Sequence, residues 1–221
     1  MKSVLERSLV LYLPLGESGG GSFMSGDACG HRCTVTGAVW KPYGYSFDGV
    51  DDEILVPHHD AFNFDYNEPF SILFWFKIAD ASNTQYLVAK HDAAYKGYGV
   101  VFRKTSNVLE LNLEHDNGSW LQVRGTTALS TGAWYHGAII YNGSTDASGV
   151  AIYINAEAEP LNILKNALVS GTQNTVDLRL GQDINGNGDF NGSLSELLVY
   201  NRVLAPAEIQ RHYLAGKWRY R

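Results

Sequence analysis

Several things are scarce in this chain. Its 221 residues include two cysteines, six prolines and two methionines, and only 18% are charged. Two cysteines exclude a disulfide-knit scaffold and a four-cysteine zinc site. Lys and Arg number 17 against 23 Asp and Glu, a net charge of −6. Without a cationic surplus to neutralise phosphates, electrostatic binding of nucleic acid is excluded. Long apolar runs are missing too. The stretch Leu9–Leu13 is broken by Pro14 and Gly16, far short of the roughly 20 residues a membrane span requires. It also lacks the form of a secretory leader, because Glu6 and Arg7 precede it and no clean small-residue cleavage site follows. The expectation is a chain without membrane insertion, either unexported or a mature domain beginning at a new Met1.

What is plentiful is apolar and aromatic: 45% hydrophobic residues, with five Trp, 13 Tyr and nine Phe. That content excludes disorder, and this length lets a fold bury about 70% of the surface its unfolded chain exposes. The pattern has a period of two. From Phe70 to Ile78 the even positions are all apolar, and Leu73 and Trp75 make the other face half-apolar, which predicts a central strand covered on both sides. From Val108 to Glu114, Leu109, Leu111 and Leu113 alternate with Glu110, Asn112 and Glu114, one face in and one out. Asp116-Asn117-Gly118 then marks a hairpin turn into a strand from Ser119 to Val123. Residues 134–141 lead through Asn142-Gly143-Ser144 to a partner at 149–155, and 176–181 and 194–200 supply two more strands. One helix is predicted near the end. Pro206 suits its first turn, Glu208 its positive start and Gly216 its stop, while Ile209, Tyr213 and Leu214 share a face. It is expected to cover an edge or end of a β-sandwich. No repeat and no linker divide residues 1–221, so a single domain is expected.

The segment Tyr45-Ser46-Phe47-Asp48-Gly49-Val50-Asp51-Asp52 resembles the laminin G-like modules of the concanavalin A-like lectin/glucanase superfamily, which carry Phe-Asp-Gly-x-Asp-Asp before a strand. Further landmarks come in order: an opening strand at 9–16, Thr34-Val35-Thr36-Gly37, the aromatic strand ending Trp75-Phe76-Lys77, Trp134-Tyr135-His136, Tyr153-Ile154-Asn155, and a closing strand and helix over 192–214. The resemblance implies an all-β fold, a two-sheet antiparallel jelly-roll sandwich with a short C-terminal helix. It also implies a non-catalytic module that binds carbohydrate or protein, often with calcium at the sandwich rim. A virion or phage surface contacting host glycans is one setting expected from family habit; an extracellular mature domain is another. The alternatives are a structural protein making assembly contacts and, third, a glucan hydrolase.

These readings single out candidate residues. Calcium needs six to eight oxygens; Asp48, Asp51 and Asp52 supply carboxylates, and the resemblance adds Glu196 while placing Ser195 where an acidic partner is usual. For sugar, whose C–H faces stack on aromatic rings, the candidates are Tyr86, Tyr95 and Tyr98, expected in the loop after the Phe70 strand, Trp120 beside the hairpin turn, and Asn112 with Glu114 on the polar face. Glu110 and Glu114 resemble the glucanase pair, but Asn112 stands where the tuning carboxylate belongs. Residues four apart on a strand also lie about 13 Å apart, against the roughly 5–5.5 Å that retaining chemistry needs. Asp183-x-Asn185-x-Asn187 imitates half an EF-hand loop, yet Leu194 holds the position of the bidentate Glu, so an ordinary loop is expected. His58 and His59 should point apart, and His136 should be a hydrogen-bonded structural residue. Cys29 and Cys33 suggest a small disulfide loop, with two free thiols as the alternative; a zinc site would need two further ligands, with only His31 local. Asn117, Asn142 and Asn191 match the glycosylation pattern but read as turn residues.

Overall fold

The computed structural model describes residues 8–17, 19–116 and 118–220. Lys2, Glu6, Arg7 and Asn117 therefore lie outside the described residues. Strands are numbered in chain order. The alternation at 70–78 makes β7 (Phe70–Ile78), the middle of an antiparallel sheet, between β12 (Trp134–Tyr141) and β17 (Asn191–Tyr200). That sheet runs β14 (Glu157–Ala158), β13 (Val150–Ile154), β12, β7, β17, β5 (Gly44–Asp48), β4 (Val39–Lys41), with β1 (Leu9–Leu13) also on β17. The second sheet runs β15 (Asn162–Asn166), β11 (Ser119–Arg124), β10 (Val108–Asp116), β9 (Gly97–Arg103), β8 (Gln85–His91), β16 (Leu178–Leu180), β6 (Glu53–Val56), β3 (Arg32–Thr36), β2 (Ser22–Met24). The two sheets form the expected jelly-roll sandwich.

The core arises from the alternation. Phe70, Ile72, Phe74, Phe76 and Ile78 meet Leu109, Leu111, Leu113, Leu121 and Val123 from the other sheet. On the far side of β7, Leu73 joins Ala138, Ile140, Leu198 and Tyr200 in a second cluster closed by Leu204 and Ile209. The helix α1 (Pro206–Gly216) thus lies on the outer face of the first sheet rather than at an edge or end. Its Glu208 accepts from the Ala205 N–H at 2.8 Å and pairs with Arg202. Leu214 departs from the expected apolar face and is exposed. Beyond the helix Tyr220 folds back to stack on Trp75, 4.3 Å between centroids, and its hydroxyl shares a 2.7 Å hydrogen bond with Ser195, while Trp218 stays in solvent.

His136 is buried against Trp75 and Tyr213, but its Nδ1 has no hydrogen-bond partner among the described residues, so packing rather than hydrogen bonding fixes the ring. Burial pushes its pKa down to about 3. Burial also depresses His31, His91 and His212. Below the unfolded value near 6.5, the unfolded chain takes up protons that the folded chain refuses, so stability present above that pH is lost as pH falls. At about 1.4 kcal/mol per unit, His136 alone removes about 3 kcal/mol between pH 6.5 and 4, roughly 10 °C in Tm. A melting series from pH 7 to 4 should show this slope, and His136→Phe should reduce it while His31, His91 and His212 keep the remainder.

Candidate functional site

On β10 the alternation that sends Leu109, Leu111 and Leu113 into the core leaves Glu110, Asn112 and Glu114 on the outer face of the second sheet. Register then selects their neighbours. Glu114 lies opposite Trp120 and Gly97, Asn112 opposite Gln122 and Gly99, and Glu110 opposite Arg124 and Val101. Two glycines on β9 leave the middle of this face without side chains. Tyr86, which pairs with Val101 from β8, leans into the space: a Cβ on Gly99 would sit 3.0 Å from its ring. The outcome is an open trough of about 370 Å³ lined by Tyr86, Tyr95, Arg103, Asn112, Glu114, Trp120 and Gln122.

The trough is held from below. Glu110 is fully buried, and its carboxylate accepts from Arg103 Nε at 2.8 Å, from Gln122 Nε2 at 2.9 Å and from Arg124. Those three donors occupy both oxygens. Tyr95 stands at the lip with φ 68°, in the left-handed region. The turn that keeps it there is built by Asp92, whose Oδ1 accepts from the N–H groups of Ala94 and Lys96. Bulky residues adopt this conformation at a cost and cluster at functional sites. His91 packs against both Tyr86 and Tyr95, with centroids 5.4 and 5.1 Å away. Burial, with Asp183 nearby, pushes the Tyr86 hydroxyl well above its ordinary pKa, so it remains a proton donor. The Lys165 ammonium lies 4.4 Å from the Trp120 ring centre and orients the indole. On the floor, Asn112 Oδ1 is buried with no hydrogen-bond partner among the described residues.

Five of the six sugar candidates thus meet in one trough. Tyr98 does not. It is buried in the core, and its hydroxyl donates to the Phe62 carbonyl at 2.9 Å. The loop expected to hold the three tyrosines is mostly strand: Tyr86 is on β8 and Tyr98 on β9, one residue out of phase with the outward-facing Gly97, Gly99, Val101 and Arg103. Arg103 and Gln122 were missed, although the hairpin register that pairs Asn112 with Gln122 could have found the latter.

Asp48, Asp51 and Asp52 also come together, with ligand oxygens within 4.8 Å of one another. Asp52 Oδ2 accepts from the Asp48 N–H at 2.7 Å, and Asp48 Oδ1 from the Val50 N–H at 2.9 Å. Burial, then the charges of Asp48 and Asp51, raise the Asp52 pKa, so the turn is short of positive charge. The chemistry suits a hard cation, with fewer protein oxygens than the six to eight calcium takes. Glu196 is elsewhere. Asp48 pairs with Asn191, and Glu196 lies about 16 Å further along β17 at ~3.3 Å per residue, at a bulge with φ 46°, against the Tyr12 hydroxyl. Ser195 is buried beneath Tyr220.

The remaining sequence candidates take ordinary structural places. Asp183 Oδ1 accepts from the N–H groups of Asn185 and Asn187, which closes the loop. Asn142 caps the Gly143 turn by accepting from Ser144, whereas Asn191 begins β17 and donates to the Asp48 carbonyl, a strand position and not a turn. Cys33 points into the core, where burial raises its thiol to about 12, and Cys29 is exposed on the preceding bend. Both are free thiols; the alternation of β3 turns Cys33 away, and the expected disulfide is not formed.

The sequence matches the family model described as the concanavalin A-like lectin/glucanases superfamily over residues 48–210. The chain belongs to that superfamily, in agreement with the resemblance read from residues 45–52 onward. Against curated proteins the sequence has no significant match. Among solved structures it is similar to the binding domain of botulinum neurotoxin serotype D, at 16% identity and TM-score 0.74, covering 95% of this chain and 52% of that one. The binding domain of Paraclostridial mosquitocidal protein 1 gives 16% identity and TM-score 0.71, over 96% of this chain and 53% of that one. Trypanosoma rangeli sialidase in complex with 2,3-difluorosialic acid gives 18% identity and TM-score 0.69, over 95% of this chain and 33% of that one. The chain therefore spans about half the length of the two toxin domains and a third of the sialidase. At these identities the likeness is one of fold. No helix among the described residues is long and apolar enough to cross a membrane.

Proposed function

We propose that the chain is a non-catalytic carbohydrate-recognition module that binds sugar in the trough of the second sheet. The observation that carries this reading is the gathering of three aromatic residues, Tyr86, Tyr95 and Trp120, with Asn112, Glu114 and Gln122 around one open trough. Trp120, Tyr86 and Tyr95 would receive the apolar C–H faces of a sugar, while the polar groups of Asn112, Glu114 and Gln122 would meet its hydroxyls. Against hydrolysis stands Glu110, whose oxygens are occupied by Arg103, Arg124 and Gln122. The setting we propose is an exposed biological surface, of a virion, phage particle or cell, that meets host glycans. A glycan array tests the reading, with binding expected for wild type and weakened binding for Trp120→Ala.

A second reading, protein assembly, is favoured by the edge strand β15, which exposes Ile163 and Leu164. It expects oligomers in solution that Ile163→Lys disperses. Calcium at the Asp48, Asp51 and Asp52 turn is proposed as structural, because a cation would relieve the repulsion among these carboxylates. Millimolar Ca²⁺ should raise Tm by about 2–4 °C. A chelator should reverse the gain and Asp51→Asn should abolish it; an unchanged Tm would remove calcium from the account.

A further inference from the structure

Antiparallel pairing of β3 on β6, with Thr34 opposite Leu55 and Thr36 opposite Glu53, sets the residues before β3 beside those after β6. Three side chains meet there. Cys29, His31 and His59 each offer one ligand atom, and these atoms lie within 4.8 Å of one another. The imidazoles of His31 and His59 meet edge to face at 5.0 Å, and Phe62 packs on both rings. None of these residues lines the trough, so this cluster is independent of sugar binding.

Two features set this group apart from a chance gathering of surface residues. First, His31 is buried, and its Nε2 has no hydrogen-bond partner among the described residues. A buried ring nitrogen without a partner carries a standing cost. Second, an anion backs the group. The Asp27 side chain is almost wholly buried, with Oδ1 3.7 Å from His31 Nε2. Oδ1 also accepts from the N–H groups of Cys29 and Gly30 at 2.9 and 3.3 Å, which shapes the bend that presents the thiol. Its other oxygen, Oδ2, accepts from the Tyr12 N–H at 3.1 Å, so the carboxylate is fixed through both oxygens.

We propose that Cys29, His31 and His59 bind a zinc ion, with Asp27 as the neighbouring anion and the fourth position open to water. Thiolate sulfur with imidazole nitrogen is the donor set of this borderline-soft cation, which favours tetrahedral sites with zinc–sulfur near ~2.3 Å and zinc–nitrogen near ~2.0 Å. From the present spacing the ligands close by about an ångström, which the exposed bend carrying Cys29 can supply. Binding releases the thiol proton to solvent and involves no redox change. The Cys29 thiolate and the Asp27 carboxylate balance the dication. His59 now accepts from the Ala61 N–H at Nδ1, 3.1 Å away. Ligation through either ring nitrogen gives up that cap, because ligation at Nε2 moves the ring proton to Nδ1.

The test uses the full chain without a polyhistidine tag, titrated with Co²⁺ and then Zn²⁺. One Co²⁺ per chain should bind, with the thiolate-to-cobalt charge-transfer band and the intense visible bands of a tetrahedral site, and Zn²⁺ should displace it. Cys29 is exposed, so Cys29→Ser should fold normally, as its melting curve will show. It should lose the charge-transfer band and weaken Zn²⁺ binding by more than the roughly 10–100-fold typical of removing an outer partner. His59→Asn should also weaken Zn²⁺, whereas Cys33→Ala should keep the band. Absence of the charge-transfer band from wild type, its survival in Cys29→Ser, or equal Zn²⁺ affinity in wild type and Cys29→Ser would overturn the proposal.

Discussion

Trp120→Ala is expected to weaken glycan binding by about 30-fold, equivalent to about 2 kcal/mol, while leaving Tm nearly unchanged. The indole lies on the outer face of β11, opposite Glu114 and outside the core, so truncation removes little packing that the sandwich needs. What it removes is the large ring at one end of the trough and its contact with Lys165. Asn112→Ala should also weaken binding, because a polar side chain lining the trough disappears. Asn112→Asp should be worse, since it buries a charge beside the occupied Glu110. Isothermal titration with a glycan that binds wild type checks the series. Equal affinity in Trp120→Ala and wild type would move the binding site off this face.

Glu110→Gln is expected to be the most destabilising single substitution on the outer face of the second sheet. Glu110 is fully buried and carries the negative charge that meets both Arg103 and Arg124. Removing one partner of a buried ion pair leaves the others uncompensated, at a cost of about 3–5 kcal/mol, or roughly 10 °C in Tm. The side chains of Arg103 and Arg124 retain some solvent contact, which places the expected loss at the lower end. Glucan hydrolysis would give a different signature. A catalytic Glu110 predicts turnover in the wild type that Glu110→Gln abolishes, with Tm preserved. Thermal melting of the variant, beside a turnover assay of the wild type, separates the two.

Much of the fold was legible in the sequence, and the failures have identifiable causes. Alternation alone set β7 and β10, and with them the outward phase of Asn112 and Glu114. The hairpin register then set Trp120 across from Glu114. Tyr98 was misplaced because Gly97-Tyr98-Gly99-Val100-Val101-Phe102 has no polar phase, so nothing local says which face is out. Glu196 was assigned to the acidic turn by resemblance, and only the bulge in β17 and its pairing with β5 reveal the distance from Asp48. The disulfide expectation rests on proximity in sequence, whereas strand phase buries Cys33 and the bend before β3 exposes Cys29. The meeting of Cys29 and His31 with His59 depends on β3 pairing with β6, a long-range contact that no local pattern announces. The helix was found with its bounds, but the face it covers depends on where β17 ends and the chain turns back.

The central claim is that the outer face of the second sheet recognises carbohydrate. The measurement that tests it most directly is a broad glycan array on purified wild-type protein beside Trp120→Ala, each with Ca²⁺ and with a chelator. The account predicts reproducible binding of a defined set of glycans by wild type, with the signal sharply reduced in the variant. A wild-type array silent in both conditions, or one matched spot for spot by Trp120→Ala, would contradict it.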